Sequence, residues 1–132
     1  MMKQQYAFVT AAIMMASAAS VAAQTPPLPP NASVQVKAGA KLYEQHCALC
    51  HGAEGRNAIV FPRPIWGAGH DIAKFSNSQG LFEYVQLMMP FDNPRKIDDA
   101  DKLAISAFML ERNGSMKPDA QLPARGGVVP IK

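Results

Sequence analysis

The sequence predicts an all-α domain, and three observations carry this prediction. Three segments place apolar residues at intervals of three and four, which is typical of helices that bury one face. No segment shows the apolar–polar alternation of a half-buried strand. Residues 52–77 form a long stretch with little periodicity, which a compact domain rarely tolerates unless something occupies its interior. The pattern therefore predicts three main helices and long loops wrapped around a large apolar group.

The beginning of the chain predicts export. Residues 1–23 have the pattern of a signal peptide, in which Lys3 precedes an apolar run that is short for a membrane span. Val21 and Ala23 fit a cleavage site after Ala23. An uncleaved membrane anchor is the alternative. Cleavage leaves no stable membrane span, and we expect the mature protein in the periplasm, an oxidising compartment.

The remaining chain divides into three parts. Residues 24–33 are proline-rich and predict an extended leader, residues 34–122 form the predicted domain, and residues 123–132 form a C-terminal tail. The formal net charge is +3, and removal of Lys3 leaves twelve Lys and Arg against ten Asp and Glu. These charges are scattered, without a run of one sign, so the sequence predicts no nucleic-acid partner.

The first two helices have clear boundary signals. The first is predicted over residues 33–47, with Ser33 as its N-cap. The second is predicted over residues 78–89, and it ends there because Pro90 cannot continue a helix.

The third helix is predicted over residues 98–114. Asp98 or Asp99 can cap its beginning, and Arg112 and Gly114 mark its end. The predicted apolar faces of the three helices are Val36, Gly39, Ala40, Tyr43 and Cys47; then Leu81, Phe82, Val85 and Met88; then Leu103, Ala107, Phe108 and Leu110.

The motif CALCH contains both cysteines of the chain, Cys47 and Cys50, and His51 follows them directly. Positions i and i+3 of a helical turn project to one side, so both thiols can reach the two vinyl groups along one edge of a haem. His51 then lies beneath the iron, where histidine is a standard ligand. Gly52 and Gly55 can turn the chain away without a Cβ clash. The motif therefore predicts one covalently bound haem c.

Three other chemistries fit the motif less well. A thioredoxin-like redox pair needs a βαβ context, which the sequence lacks. A zinc site needs a fourth ligand, from His46 or His70. A disulfide between Cys47 and Cys50 closes too small a loop to stabilise much. We expect His46 to face solvent at the end of the first helix, and His70 to lie in a surface loop as a rival for the sixth iron position.

The sixth iron ligand is predicted to be a methionine, which raises the reduction potential opposite a histidine. Met88 and Met89 are the candidates. Met88 falls in the apolar stripe of the second helix, where it can serve as core. Pro90 pushes Met89 out of the helical conformation and into an extended loop. We therefore favour Met89.

The segment FPRPIWG supplies candidate partners of the haem group. A ligating histidine normally donates its other ring N–H to a carbonyl, and that of Pro64 follows at a suitable loop length. Arg63 can pair with the haem propionates. The indole N–H of Trp66 can reach the same carboxylates, and simple core packing is the equally weighted alternative.

Together the motifs CALCHG, RPIWG, MMPFDNP and FMLERNG resemble the class I monohaem cytochromes c, across residues 34–122. The resemblance implies the cytochrome c fold, in which Gly39 and Tyr43 of the first helix cross the last helix at Phe108. The implied site residues are the haem thiols Cys47 and Cys50, the iron ligands His51 and Met89, and the carbonyl partner Pro64.

A narrower resemblance concerns MPFDNP, the AFML helix and KPDAQLP. These segments are similar to the cytochrome subunits of periplasmic sulfite and sulfane dehydrogenases in sulfur oxidation. The resemblance implies redox-partner proteins. The implied electron donor is a periplasmic dehydrogenase, and the implied acceptor is another cytochrome or an oxidase of the respiratory chain. Two protein ligands leave no open iron position, so we expect an electron carrier rather than an enzyme by itself. The alternatives are a haem enzyme or small-ligand sensor with a labile Met89, and a cysteine-based redox or metal protein.

Overall fold

The computed structural model describes residues 27–132, so the predicted signal peptide lies outside the described residues. These residues form four α-helices and two 3-10 helices: α1 (Val34–His46), α2 (Ala48–His51), α3 (Ser78–Met88), α4 (Asp99–Arg112), and the 3-10 helices Asp71–Phe75 and Pro94–Lys96. The described part of the chain contains no named strand, only an isolated antiparallel bridge between Asn77 and Pro130. The all-α prediction is therefore confirmed, and α1, α3 and α4 are its three main helices.

Side-chain caps begin each of the three long helices. The hydroxyl of Ser33 accepts from the Val36 amide at the start of α1, as the sequence predicts. Asp98 is the cap of α4, where its carboxylate accepts from the Asp101 amide at 2.8 Å. Asn77 caps α3 in the same way. These bonds satisfy backbone donors that have no partner inside the helix, and so they fix where each helix begins.

Helices α1 and α4 cross with their backbones in close contact at Gly39. A Cβ atom at this position would lie 1.9 Å from the Ala104 carbonyl oxygen and 2.9 Å from the Phe108 Cβ. Only glycine permits this approach, because any larger residue would push the helices apart. The crossing agrees with the arrangement that the cytochrome resemblance implies.

Three aromatic side chains fill the space beside this crossing. The ring of Tyr43 lies 5.2 Å from that of Trp66 and 5.5 Å from that of Phe108, and the Trp66 and Phe108 rings are 5.6 Å apart. All three residues are buried. Tilted and edge-to-face rings at these separations add attraction beyond the burial of their area. The loop that carries Trp66 is thereby attached to both helices.

The C-terminal segment packs against the domain. The Ser78 amide donates to the Val129 carbonyl, and the Ser78 hydroxyl accepts from the Val129 amide at 2.9 Å. At the end of the segment, the amide of Lys132 donates to the Ser115 hydroxyl at 3.1 Å. The segment therefore covers the beginning of α3. Within residues 27–132, no helix has the length and apolarity that a membrane span requires.

Candidate haem site

The two cysteines and the histidine of the motif lie on one helical turn directly after α1. Cys47 ends α1, its amide donating to the Tyr43 carbonyl, and it also begins α2. The amides of Cys50 and His51 both donate to the Cys47 carbonyl, at 3.1 and 2.9 Å. A turn of this kind places residues i and i+3 on the same face. The local backbone thus has the geometry in which Cys47 and Cys50 can hold one edge of a planar group.

Both thiols are free, with Cys47 half-buried and Cys50 exposed. Burial, and to a smaller extent the nearby Cys50, raises the pKa of Cys47 to about 12. A raised pKa disfavours the thiolate, the form that thiol exchange uses. Among residues 27–132, no three His, Cys, Asp or Glu side chains are grouped to hold a metal ion. The zinc and redox alternatives receive no support from this geometry.

The imidazole of His51 lies partly buried against Phe61, with 4.9 Å between the ring centroids. Burial lowers the pKa of His51, and the charge of Asp71 opposes this effect more weakly. The neutral ring that results is the form that ligates a metal. The Nδ1 atom is buried without a hydrogen-bond partner. Unpartnered polar atoms of this kind are rare in protein interiors and call for an explanation.

The carbonyl of Pro64 accepts from the Asp71 amide at 2.8 Å. The hydrogen bond from His51 that the resemblance implies is not formed among the described residues, since Nδ1 of His51 is unpartnered there. A carbonyl has two lone pairs, so the bond to Asp71 leaves Pro64 able to accept a second donor.

Two glycines shape the loop after the motif. Gly52 has φ +81°, and a Cβ there would lie 2.1 Å from the Arg56 carbonyl oxygen. Gly55 has φ +66°, and a Cβ there would lie 2.8 Å from the indole of Trp66. The Tyr43 hydroxyl donates to the Gly52 carbonyl at 2.9 Å. The glycines therefore do turn the chain after His51, and Gly55 does so where the loop meets a buried indole.

Met89 lies apart from the motif, at the end of α3. It has extended backbone angles, φ −124° and ψ 144°, and its amide donates to the Val85 carbonyl as the last bond of the helix. Its side chain packs partly buried against the core. Met88 is the last helical residue and is 46% exposed, so it does not serve as core. The extended conformation predicted from Pro90 is confirmed, and residues 89–98 are called the methionine loop below.

Large apolar side chains are exposed in the loop after the motif and beside Met89 in the sequence. Ile59 and Val60 precede Phe61, which contacts His51 and whose amide donates to the Cys50 carbonyl. Met88 and Phe91 flank Met89 and are exposed as well. Such residues suit contact with a large apolar group. Two free thiols on one turn, a neutral imidazole with an unpartnered nitrogen and this apolar surface together fit a covalently bound haem.

The structure places the other residues that the sequence analysis considered as follows. His46 ends α1, and Nε2 of His70 bonds to the Lys132 carbonyl oxygen at 2.9 Å, in keeping with a loop-packing role. Arg63 pairs with Asp71, at 3.2 Å between Nη2 and Oδ1. Trp66 packs in the aromatic core, which favours the packing alternative.

The sequence analysis missed Lys102, whose side chain is buried within α4 at 2% exposure. Helical spacing does not single it out, because every residue of α4 from Lys102 to Leu110 is buried. A charged residue is rarely expected on a buried face, so apolar periodicity alone does not select it.

The chain matches a family model described as "Cytochrome C oxidase, cbb3-type, subunit III" over residues 34–109, which is more than half of its length. The matched region begins with α1 and contains the CALCH motif, Met89 and most of α4.

The similar proteins are named as dehydrogenases of sulfur compounds. Thiosulfate dehydrogenase of Stutzerimonas stutzeri (strain A1501) is 27% identical, over 67% of this chain and 31% of that protein. The crystal structure of the sulfane dehydrogenase SoxCD from Paracoccus pantotrophus matches with a TM-score of 0.53 and 25% identity, over 72% of this chain and 53% of that one. Thiosulfate dehydrogenase (TsdBA) from Marichromatium purpuratum matches at 26% identity and a TM-score of 0.49, over 65% of this chain and 20% of that one. The chain thus spans less than two thirds of each relative.

Proposed function

Because the chain belongs to the cytochrome c family whose model matches residues 34–109, we propose that it is an exported electron-transfer protein with one covalent haem c. Cys47 and Cys50 hold the haem through thioether bonds. His51 and Met89 are its axial ligands. The proposal places the mature protein in the periplasm, after cleavage of the signal peptide at residues 1–23.

The observation that carries the proposal is the single turn from Cys47 to His51, inside a region that matches a cytochrome c family. This turn joins two thiols and a neutral imidazole within five residues. The spacing Cys-x-x-Cys-His is a recognised signal for covalent haem attachment. Redox and zinc proteins that use paired cysteines need strands or further ligands around them.

The chain's own residues fix the shape of the site. A bound haem supplies a one-electron couple between ferric and ferrous iron. The turn of α2 fixes the separation of the two thiols from His51, and the Tyr43 hydroxyl fixes the loop that follows by its bond to Gly52. His51 and Met89 would both ligate the iron, which would leave no open position for substrate chemistry.

The proposed donor is a periplasmic dehydrogenase that oxidises a sulfur compound. This part of the proposal is supported by the similarity to a thiosulfate dehydrogenase and to the sulfane dehydrogenase structure. The chain spans only part of those proteins, and in the proposal it serves as an electron-accepting module or as a separate carrier. The proposed acceptor is another cytochrome or an oxidase of the respiratory chain.

The ligand assignment is tested with Met89→Ala and its matched control Met88→Ala. The protein is produced in a bacterial periplasm with haem attachment, and we expect a red product whose haem survives denaturation. The ferric wild type should show a methionine–iron charge-transfer band. Met89→Ala should lose this band because the sulfur ligand is gone, and Met88→Ala should keep it.

Three results would contradict the proposal. A colourless protein would exclude the bound haem. A charge-transfer band that survives in Met89→Ala would exclude Met89 as a ligand. Rapid carbon monoxide binding to the reduced wild type would show an open iron position and favour a haem enzyme or a small-ligand sensor. Capture of the donor from a periplasmic extract, followed by its reduction of the purified cytochrome, tests the sulfur dehydrogenase assignment separately.

A further inference from the structure

Lys102 of α4 is a buried cation whose ammonium group contacts two carbonyls, one before and one after Met89 in the sequence. Its Nζ atom donates to the Gln86 carbonyl at 2.7 Å and also donates to the Pro94 carbonyl. The side chain is only 2% exposed. A buried lysine is costly unless each donor finds a partner, so its presence here calls for a reason.

The Gln86 carbonyl needs a donor from outside its own helix. In a continuing helix it would accept from the amide of residue 90, but Pro90 has no N–H. The last carbonyls of a helix are otherwise unsatisfied, and they carry the partial negative charge of the helix dipole. The ammonium of Lys102 satisfies this carbonyl and compensates this charge where α3 stops.

The second acceptor, Pro94, lies on the other side of Met89. Gln86 precedes Met89 by three positions, and Pro94 follows it by five, so one ammonium group joins both ends of the segment that carries the methionine. Bonds such as that from the Asn93 amide to the Pro90 carbonyl connect loop residues to one another. At the end of the loop, Ile97 is buried and Asp98 caps α4. Lys102 adds a link from α4 to the middle of the loop, at Pro94, and to the end of α3, at Gln86.

We propose that Lys102 is a positioning residue for Met89, holding the methionine loop in the shape that presents the thioether to the iron. This inference rests on the proposed function, because it takes Met89 as a ligand. The ammonium group acts through the backbone of residues 86 and 94 rather than by touching the haem. Its removal should leave the fold in place but make the methionine easier to displace.

The test compares Lys102→Met with Gln86→Ala in the purified ferric holoprotein. Methionine keeps an unbranched stem of similar length without the ammonium group, so packing of the core is conserved. Gln86→Ala is the matched control, since it removes another α3–α4 link, from Gln86 to Asp99 at 2.7 Å, and keeps the carbonyl that Lys102 contacts.

The readouts are imidazole binding to the ferric iron and the reduction potential. We expect Lys102→Met to bind imidazole about tenfold more tightly, the effect of losing one charged hydrogen bond from the methionine-bound state. Its reduction potential should fall, because methionine ligation favours the ferrous form and weaker ligation reduces this preference. Gln86→Ala should match wild type. Equal imidazole affinity in wild type and Lys102→Met, or an equal rise in both variants, would overturn the role of Lys102.

A second measurement needs no substitution. The ammonium protons of Lys102 should be visible by NMR in the reduced wild type, because burial and hydrogen bonding protect them from exchange. They should shift when carbon monoxide replaces Met89 at saturating gas, and an unchanged signal would overturn the inference even if Lys102→Met failed to fold. A wild type without the methionine charge-transfer band would instead show that the ligand assignment fails, and the role of Lys102 would fall with it.

Discussion

The α1–α4 crossing and the methionine loop are held in different ways. At the crossing, Gly39 brings two helix backbones together, and Tyr43, Trp66 and Phe108 are buried beside them. In the methionine loop, residues 91–93 are exposed and most backbone bonds are short-range turns, while Met89, the buried Ile97 and the bond from Lys102 to Pro94 attach the loop to the core. The crossing is built from extensive side-chain packing, and the loop from fewer contacts, some of them polar.

The difference separates stability from ligand control. Close-packed apolar contacts are numerous and resist local change, so the crossing should unfold only with the whole domain. A loop with exposed residues can open at much lower free energy. Under the proposed function, with the haem attached through the CALCH turn and Met89 as a ligand, this division would let the ligand be tuned without loss of the fold.

The largest effect is expected from Phe108→Ala. The substitution removes a buried ring that contacts both Tyr43 and Trp66, and the cavity left behind should lower the free energy of unfolding by about 3–5 kcal/mol. Guanidinium denaturation of the holoprotein, followed by far-UV circular dichroism, measures the loss. A cost below that of any loop substitution would break the comparison, because the crossing would then not be the stable part of the domain.

A smaller effect is expected from Gly39→Ala. Alanine favours a helix over glycine by about 1 kcal/mol, but its Cβ would lie 1.9 Å from the Ala104 carbonyl oxygen. Overpacking should outweigh the helix preference and give a net loss of about 2 kcal/mol. The exposed neighbour provides the control, since Ala38→Gly should cost about 1 kcal/mol through helix preference alone. Stabilisation by Gly39→Ala would show that the helices are not in close contact.

The smallest effect is expected in the methionine loop, from Asn93→Ala. This change removes the exposed bond from the Arg95 amide to the Asn93 side chain, and it should lower the free energy of unfolding by about 0.5 kcal/mol. Asp92→Ala, at the exposed neighbouring position, is the control. The same denaturation experiment applies, and a loss as large as that of Phe108→Ala would place the loop within the cooperative core.

Much of the site could be predicted because its determinants are local. The CALCH spacing needs only one helical turn, and the turn is stabilised by bonds to the Cys47 carbonyl. The extended conformation of Met89 follows from the proline after it. The helix boundaries at Ser33 and Asp98 follow from capping chemistry that acts over three residues.

Contacts between distant segments could not be predicted in the same way. The sequence predicts haem carboxylates as partners of Arg63, and the fold brings a second carboxylate, that of Asp71, to 3.2 Å. The tail at residues 123–132 has no periodic pattern, yet its backbone bonds with Ser76 and Ser78 attach it to the beginning of α3. Lysine is a residue type typical of the surface, yet Lys102 lies in the core.

The sequence by itself determined the helices, the order of the motifs and the chemistry of the turn at Cys47, Cys50 and His51. Each depends on residues within one or two turns of one another, where backbone geometry fixes the spacing. The tertiary structure decided that Trp66 completes the core, that Pro64 bonds to the Asp71 amide, and that a buried Lys102 joins the end of α3 to the methionine loop. These outcomes depend on which surfaces pack together, and packing selects among partners that are chemically equivalent in the sequence.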